Sequence, residues 1–120
     1  MQGKSRHTIA LYFRFEQMVR ELGPVILAPA KTRVGFQARM IFAAVNKLTS
    51  DRLDAHVILA RRLENPRFTK IQSLSPRNHV HHFQIRQINE LDHEVKSWLE
   101  EAYKVGLQQH LDDTRKKRHP

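Results

Sequence analysis

The sequence predicts a two-layer α+β fold with an N-terminal helix, an antiparallel sheet of three to five strands and a C-terminal helix. Apolar residues near each end of the chain recur at helical spacing, whereas those between them alternate or form short continuous runs, as strands do. A chain of 120 residues with 40% hydrophobic residues can build one core of this kind but not two. We therefore predict a single domain over residues 1–120, with its core at about 7–106.

The first helix is predicted at about residues 8–22. Its apolar stripe consists of Leu11, Tyr12, Phe15, Met18, Val19 and Leu22. The Gly-Pro pair at 23–24 ends it, because glycine accepts the left-handed cap conformation and proline cannot continue a helix. Ile9 and Phe13 lie off the stripe, and we expect a neighbouring segment to cover them; a self-association patch is the alternative.

A central hairpin is predicted from the stretch KTRVGFQARMIFAAVN at 31–46, with its reversal near Ala38. The first strand of this hairpin is expected to bury Val34 and Phe36. The second strand, at about 41–46, is apolar almost throughout. Such a run indicates a strand covered on both faces or one that carries a bulge.

The segments around the hairpin differ in how clearly they predict strands. VILAPA at 25–30 is either an edge strand or a buried connector, because its proline has no N–H to donate. Residues 51–60 show the clearest alternation, and residues 79–86 form another strand pattern. Residues 61–78 show no clear element, so they are either a functional loop or conceal a short strand at about 68–74.

The last helix is predicted at about residues 89–105. Its stripe consists of Leu91, Val95, Trp98, Leu99 and Ala102. Asn89 and Asp92 have the spacing of a capping box, and Gly106 is a natural stop. Residues 113–120 are predicted to be a disordered basic tail.

Several motifs occur along the chain in a recognisable order. They are the Gly-Pro helix end at 23–24, KTRVGF at 31–36, FAAV at 42–45, NPR at 65–67, the histidine-bearing strand, and LD at 91–92 leading to WLEEAY at 98–103. With these motifs, residues 7–106 resemble the bacterial family known as domain of unknown function 5655. The resemblance implies a small prokaryotic α+β module, sometimes joined to nuclease-like or other domains. It implies no catalytic residues.

The composition favours an anionic partner. The formal charge is +9, from 21 Lys and Arg against 12 Asp and Glu, and such a chain attracts nucleic acid, anionic membranes or acidic proteins. The basic run at 115–118 contributes part of this charge and is alternatively a solvated tail. The absence of cysteine excludes disulfides, thiolate catalysis and Cys-based metal sites. No run is long enough to span a membrane and no signal peptide is recognisable, so we predict a cytoplasmic protein without a membrane partner.

The sheet face opposite the helices is the predicted site for an anion. The candidate residues are Lys31, Arg33, Arg39, His56, His82 and Arg86. Arginine suits this role because its guanidinium makes paired hydrogen bonds to phosphate and carboxylate groups. The alternative is a solvated polar face, which every two-layer domain has.

The histidines near residue 80 do not predict a metal site or a cofactor. His79 and His81 share one side of the predicted strand, but a stable site needs three or four ligands and no HExxH motif is present. These residues and His82 are expected to lie at the strand end or on the surface, or to include one hydrogen-bonded histidine in the core. No glycine-rich phosphate loop or nucleophile elbow is present either.

Three functions follow from these patterns. The first is a non-enzymatic module whose basic surface binds a polyanion such as nucleic acid, through its backbone, because the predicted face lacks base-stacking aromatics. The second is a protein–protein adaptor or homodimer that uses Ile9 and Phe13 or the VILAPA segment. The third is an enzyme for a small anionic substrate, with its site at Arg33, Arg39, His56 and His82. We favour the first.

Overall fold

The computed structural model describes residues 5–107 and consists of two α-helices on one face of a six-stranded antiparallel sheet. The elements are α1 (Arg6–Arg20), β1 (Ile26–Pro29), β2 (Val34–Gln37), β3 (Ile41–Leu48), β4 (Leu53–Leu59), β5 (Phe68–Ser75), β6 (Asn78–Ile85) and α2 (His93–Gly106). The strand order is β1-β2-β3-β4-β6-β5. The α+β class is confirmed, whereas the expected three to five strands were too few. The predicted basic tail at 113–120 lies outside the described residues.

The strands that the sequence left uncertain are the two edges of the sheet. β1 pairs with β2, and Pro29 is tolerated because it is the last residue of an edge strand. β5 pairs with β6, which confirms the strand concealed within 61–78. Most residues of β5 are exposed, so its sequence lacks the alternation that marks a strand with one buried face.

The core lies between the helices and the sheet. Both predicted helical stripes are buried in one cluster with the inward residues of β2, β3, β4 and β6. Its aromatic centre is formed around Phe83, whose ring centroid lies 5.3 Å from that of Trp98 and 6.4 Å from that of Phe15. Phe13 remains 58% exposed, so the expected cover by a neighbouring segment is wrong for this residue.

The start of α2 differs from the prediction. Ile88–Glu90 form a 3-10 turn that contains Asn89, and Asp92 is the N-cap, whose side chain accepts a hydrogen bond from the Val95 N–H (3.2 Å). The proposed capping box was therefore placed one turn too early. Asp92 is the N-cap because its carboxylate accepts from an N–H group of the first helical turn and its negative charge is favourable at a helix N-terminus. Asn89 lies within the preceding 3-10 turn.

The end of α2 is attached to the central hairpin. The Arg39 and Met40 N–H groups both donate to the Gly106 carbonyl oxygen (2.9 and 3.0 Å). A Cβ atom at Gly106 would lie 2.8 Å from Cδ1 of Phe42, so glycine allows the helix to approach the strand this closely. The reversal near Ala38 is confirmed, and this contact fixes its position.

Arg67 connects the segment between β4 and β5 to the start of α2. Its Nη1 donates to Asp92 Oδ1 and Glu94 Oε1 (3.1 Å each), and its Nη2 donates to the Glu90 carbonyl oxygen (2.7 Å). The guanidinium also lies over the Trp98 ring, 5.2 Å from the ring centroid. Only a planar group with several fixed donors makes all of these contacts.

We expect Arg67→Lys to lower the free energy of unfolding by about 1–2 kcal/mol, because lysine keeps the charge but not the fork of donors. Urea denaturation followed by circular dichroism measures this change. The matched control is Arg62→Lys in the same segment, where the side chain is half exposed and bonds to Glu64. Equal losses in the two variants would show that the contacts of Arg67 add nothing beyond an exposed ion pair.

Candidate anion-binding site

A trough of about 400 Å³ crosses the face of the sheet that the helices leave open. Beneath it runs a row of small residues that are direct partners on neighbouring strands: Ala28 pairs with Gly35, and Gly35 pairs with Ala44. The same row continues into His56, the partner of Ala44, and then into His82. Small side chains on three strands, followed by two imidazoles, therefore form one channel across the sheet.

His56 is a buried, neutral imidazole. It is 7% exposed, and its Nδ1–H donates to Asn46 Oδ1 (3.0 Å), since an amide oxygen can only accept. Burial, His82 and Arg33 lower the pKa of His56 to about 4. At neutral pH, the proton is on Nδ1 and Nε2 carries a lone pair.

His82 is also held by an amide. Its Nε2–H donates to Gln72 Oε1 (2.9 Å), and burial, followed by the charge of Lys70, lowers its pKa below the usual 6.5. Both imidazoles are therefore uncharged at neutral pH. Arg33, which also lines the trough, supplies positive charge there.

A second cavity, of about 720 Å³, adjoins the trough at the turn between β1 and β2. Lys31, Arg33 and Lys47 line it, and within residues 5–107 its lining contains no Asp or Glu. We call it the cation cavity. Ala30, Arg33 and Asn46 line both the trough and the cation cavity, so the two share these residues. Tyr12 of α1 and the core residue Val45 also line the cation cavity, which therefore reaches the helix side of the sheet.

Tyr12 is part of the lining of the cation cavity, and its hydroxyl contacts a carboxylate. The Tyr12 hydroxyl donates to Glu16 Oε1 (3.2 Å), and Arg20 pairs with the other oxygen of Glu16 at 3.7 Å. Burial and the Glu16 charge raise the pKa of Tyr12, so the phenol stays protonated. A second carboxylate, that of Asp54, lies on the cross-strand partner of Lys47 and is bonded by Arg52. Both carboxylates near the cation cavity are thus shared with an arginine.

Sequence reasoning missed Lys47. Lys47 follows the buried Val45 by two positions, and a bulge between β3 and β4 lies at this point. Strand alternation would place Lys47 on the same face as Val45, but the bulge pairs Lys47 with Asp54 and Val45 with Ala55. Since local spacing does not encode this bulge, the sequence offered no signal for Lys47.

Two of the predicted anion-binding residues lie elsewhere. Arg39 is at the reversal between β2 and β3, where its backbone meets the end of α2. Arg86 follows β6, and its guanidinium bonds to Asp51 Oδ2 (3.2 Å). The expectation that all six candidates share one face is therefore wrong: both residues lie beyond the ends of the strands, where alternation no longer sets the side. Lys31, Arg33, His56 and His82 do come together around the two cavities.

The other histidines have structural contacts. His81 is fully buried, and its Nε2 accepts from the Leu63 N–H while its Nδ1–H donates to the His79 carbonyl oxygen (2.9 Å each). The interpretation of one hydrogen-bonded core histidine is confirmed. Within residues 5–107, no group of three or more His, Asp or Glu side chains is placed to hold a metal ion.

The sequence of this domain can be compared with those of known protein families. The family model described as Domain of unknown function (DUF5655) matches residues 1–106. The chain belongs to this family. The DUF5655 match includes both helices, the whole sheet and every residue of the trough and the cation cavity. No curated protein and no solved structure matches this DUF5655 chain.

In the part of the chain that the structure describes, neither helix of this DUF5655 domain combines the length and the apolar character needed to cross a membrane.

Proposed function

We propose that this domain is a non-enzymatic binding module for a polyanion, and that nucleic acid is the polyanion. The observation that supports this proposal is the cation cavity, in which Lys31, Arg33 and Lys47 line one concave surface without a carboxylate in its described lining. Exposed cations attract phosphates and release the counterions around nucleic acid, which is the main source of sequence-independent affinity. A cytoplasmic location is part of this proposal.

Four arginines outside the cation cavity are engaged by carboxylates, whereas exposed lysines such as Lys96 and Lys104 have no ion pair among residues 5–107. What distinguishes the cation cavity is that three cations line one concave surface. Arg61 pairs with Glu101, Arg62 with Glu64, Arg67 with Asp92 and Arg86 with Asp51. Each of these cations has a carboxylate within 3.2 Å, which competes with a phosphate for its N–H donors. Lys31, Arg33 and Lys47 have no such partner among residues 5–107, so their donors are available to a ligand.

The test is the affinity for a fluorescent single-stranded oligonucleotide, measured by anisotropy from about 50 to 200 mM salt. Lys31→Ala and Lys47→Ala are each expected to weaken binding about threefold to tenfold at low salt. Each is also expected to reduce the slope of log affinity against log salt by about 1, the value for one lost phosphate contact.

The matched control is Lys96→Ala, which removes the same charge from an exposed position on α2 and favours helix formation. It should leave the affinity and the salt slope nearly unchanged. If the control loses as much affinity as the cavity variants, net charge and not the cation cavity determines binding. If the wild type does not bind at low salt, the proposed function is wrong.

A further inference from the structure

We propose that the trough binds one base of single-stranded nucleic acid, which packs on the apolar side chains that line the trough and donates an N–H to His56 Nε2. The inference rests on the proposed function, because it places the phosphate of the same nucleotide in the cation cavity. Phosphate contacts alone do not distinguish single strands from duplexes. A base site does, because it requires a strand whose bases are unpaired.

The first support is the unused acceptor of His56. This side chain is 7% exposed, its Nδ1–H is taken by Asn46, and within residues 5–107 its Nε2 has no hydrogen-bond partner. A buried polar atom without a partner is uncommon, because losing water without a replacement costs free energy. Since His56 lines the trough, a donor placed there by a ligand would satisfy this atom.

The second support is the apolar lining of the trough. The Ile41 side chain lies over Gly35, where a Cβ atom would be 3.3 Å from Cδ1 of Ile41, and Ala44 is 1% exposed. The surface open to a ligand is therefore formed by Ala28 and by the apolar side chains of Ile41, Ile58, Leu74 and Val80. A volume of about 400 Å³ is within the range of small-ligand sites.

The third support is Arg33, which lines both the trough and the cation cavity. A nucleotide joins a flat, donor-bearing ring to a phosphate, so one nucleotide can occupy both spaces and contact Arg33 between them. A duplex does not fit this arrangement, because the pairing edges of its bases are already engaged. Sequence-specific RNA-binding proteins mostly contact unpaired bases for the same reason.

The inference also predicts limited base preference. Each of the four RNA bases carries at least one N–H donor on its pairing edge, so each can donate to one acceptor. Among the described residues, the lining of the trough contains no Phe, Tyr or Trp, and its aromatic rings are the imidazoles of His56 and His82. Packing on aliphatic residues and one hydrogen bond therefore replace the stacking on larger aromatic side chains seen in other single-strand binders.

The experiment compares three ligands of about eight nucleotides: a single strand, a strand of abasic sites with the same phosphates, and a duplex. We expect the wild type to bind the single strand about tenfold more tightly than the abasic strand, the factor expected from one net hydrogen bond. The duplex offers phosphates but no unpaired base, so its affinity should not change in the two trough variants below.

Two variants test the trough itself. Ala28→Leu narrows the trough from a partly exposed position on the edge strand, and His56→Phe keeps a ring of similar size but removes the acceptor. Both should reduce the ratio between single strand and abasic strand to about one, with the abasic affinity unchanged. The control is Ala10→Leu, the same substitution at an exposed position of α1, which should keep the tenfold ratio. Circular dichroism confirms that each variant is folded.

The outcomes separate this inference from the proposed function. If the abasic strand binds and the single strand binds no better, the base site is wrong and the proposed function stands. The base site is also wrong if both trough variants keep the tenfold ratio. If only the single strand binds, and Ala28→Leu and His56→Phe abolish that binding, the trough is supported and the cation cavity is not. Absence of binding by all three ligands overturns both.

Discussion

Replacement of Phe83 by alanine is expected to lower the free energy of unfolding by about 3–5 kcal/mol. The Phe83 side chain is 1% exposed, and its ring contacts those of Phe15, Phe68 and Trp98, which come from α1, β5 and α2. The variant leaves a cavity where both helices meet the sheet, and the surrounding rings are too large to close it. Since a small domain has a stability of only about 5–15 kcal/mol, much of the variant should unfold on mild heating.

The matched control is Phe13→Ala, the same substitution at a position that is 58% exposed on α1. Its ring contacts only that of Tyr12 among the described aromatic pairs, with centroids 5.6 Å apart. We expect a change of less than about 1 kcal/mol, because little apolar area is lost and alanine favours the helix. Urea denaturation at one protein concentration measures both variants. Similar losses in both would contradict the central position of Phe83 in the core.

Acidification from pH 7 to about 4 is expected to remove about 3 kcal/mol of stability through His56 alone. Burial first, and then the neighbouring His82 and Arg33, lower its pKa from 6.5 to about 4 in the folded protein. Between these two values the unfolded chain binds more protons than the folded one, so acid favours unfolding. The contribution is complete above the unfolded pKa and is lost as the pH falls towards the folded pKa.

His81 and His82 should act in the same direction, because burial lowers the pKa of each. Protonation of His81 also removes the acceptor for the Leu63 N–H inside the core. Urea midpoints measured from pH 7 to 4.5 should fall steadily for the wild type, before most carboxylates begin to titrate. The His56→Phe variant should show a clearly shallower fall. Parallel curves for the two proteins would exclude a neutral, buried His56 as the cause.

The helical stripes and the central strands could be predicted from the sequence because each of them has one face buried in a single core. Leu11 and Phe15 on α1, and Leu53 and Val57 on β4, recur at the spacing of their element, and all four are fully buried. The predicted hairpin around Ala38 also formed. The edge strands β1 and β5 were ambiguous, since an edge strand needs only one hydrogen-bonded partner and little apolar surface.

The site was predicted in part. Lys31 and Arg33, which were predicted as anion-binding candidates, line the cation cavity. Lys47 was not predicted, and the register of β3 against β2 and β4 places it in the same lining. The two candidate histidines lie side by side, and burial lowers the pKa of each, so neither supplies positive charge at neutral pH. Proximity and protonation both depend on neighbours that come from distant parts of the chain.

By itself, the sequence determined the α+β class, the family, the buried faces of both helices and the excess of positive charge. These properties depend on composition and on spacing within one element. Only the tertiary structure decided that Ala28, Gly35, Ala44, His56 and His82 form one row across five strands. Cross-strand register depends on turns and bulges that local spacing does not encode. Register therefore decides which side chains share a surface, and so where this domain can bind a ligand.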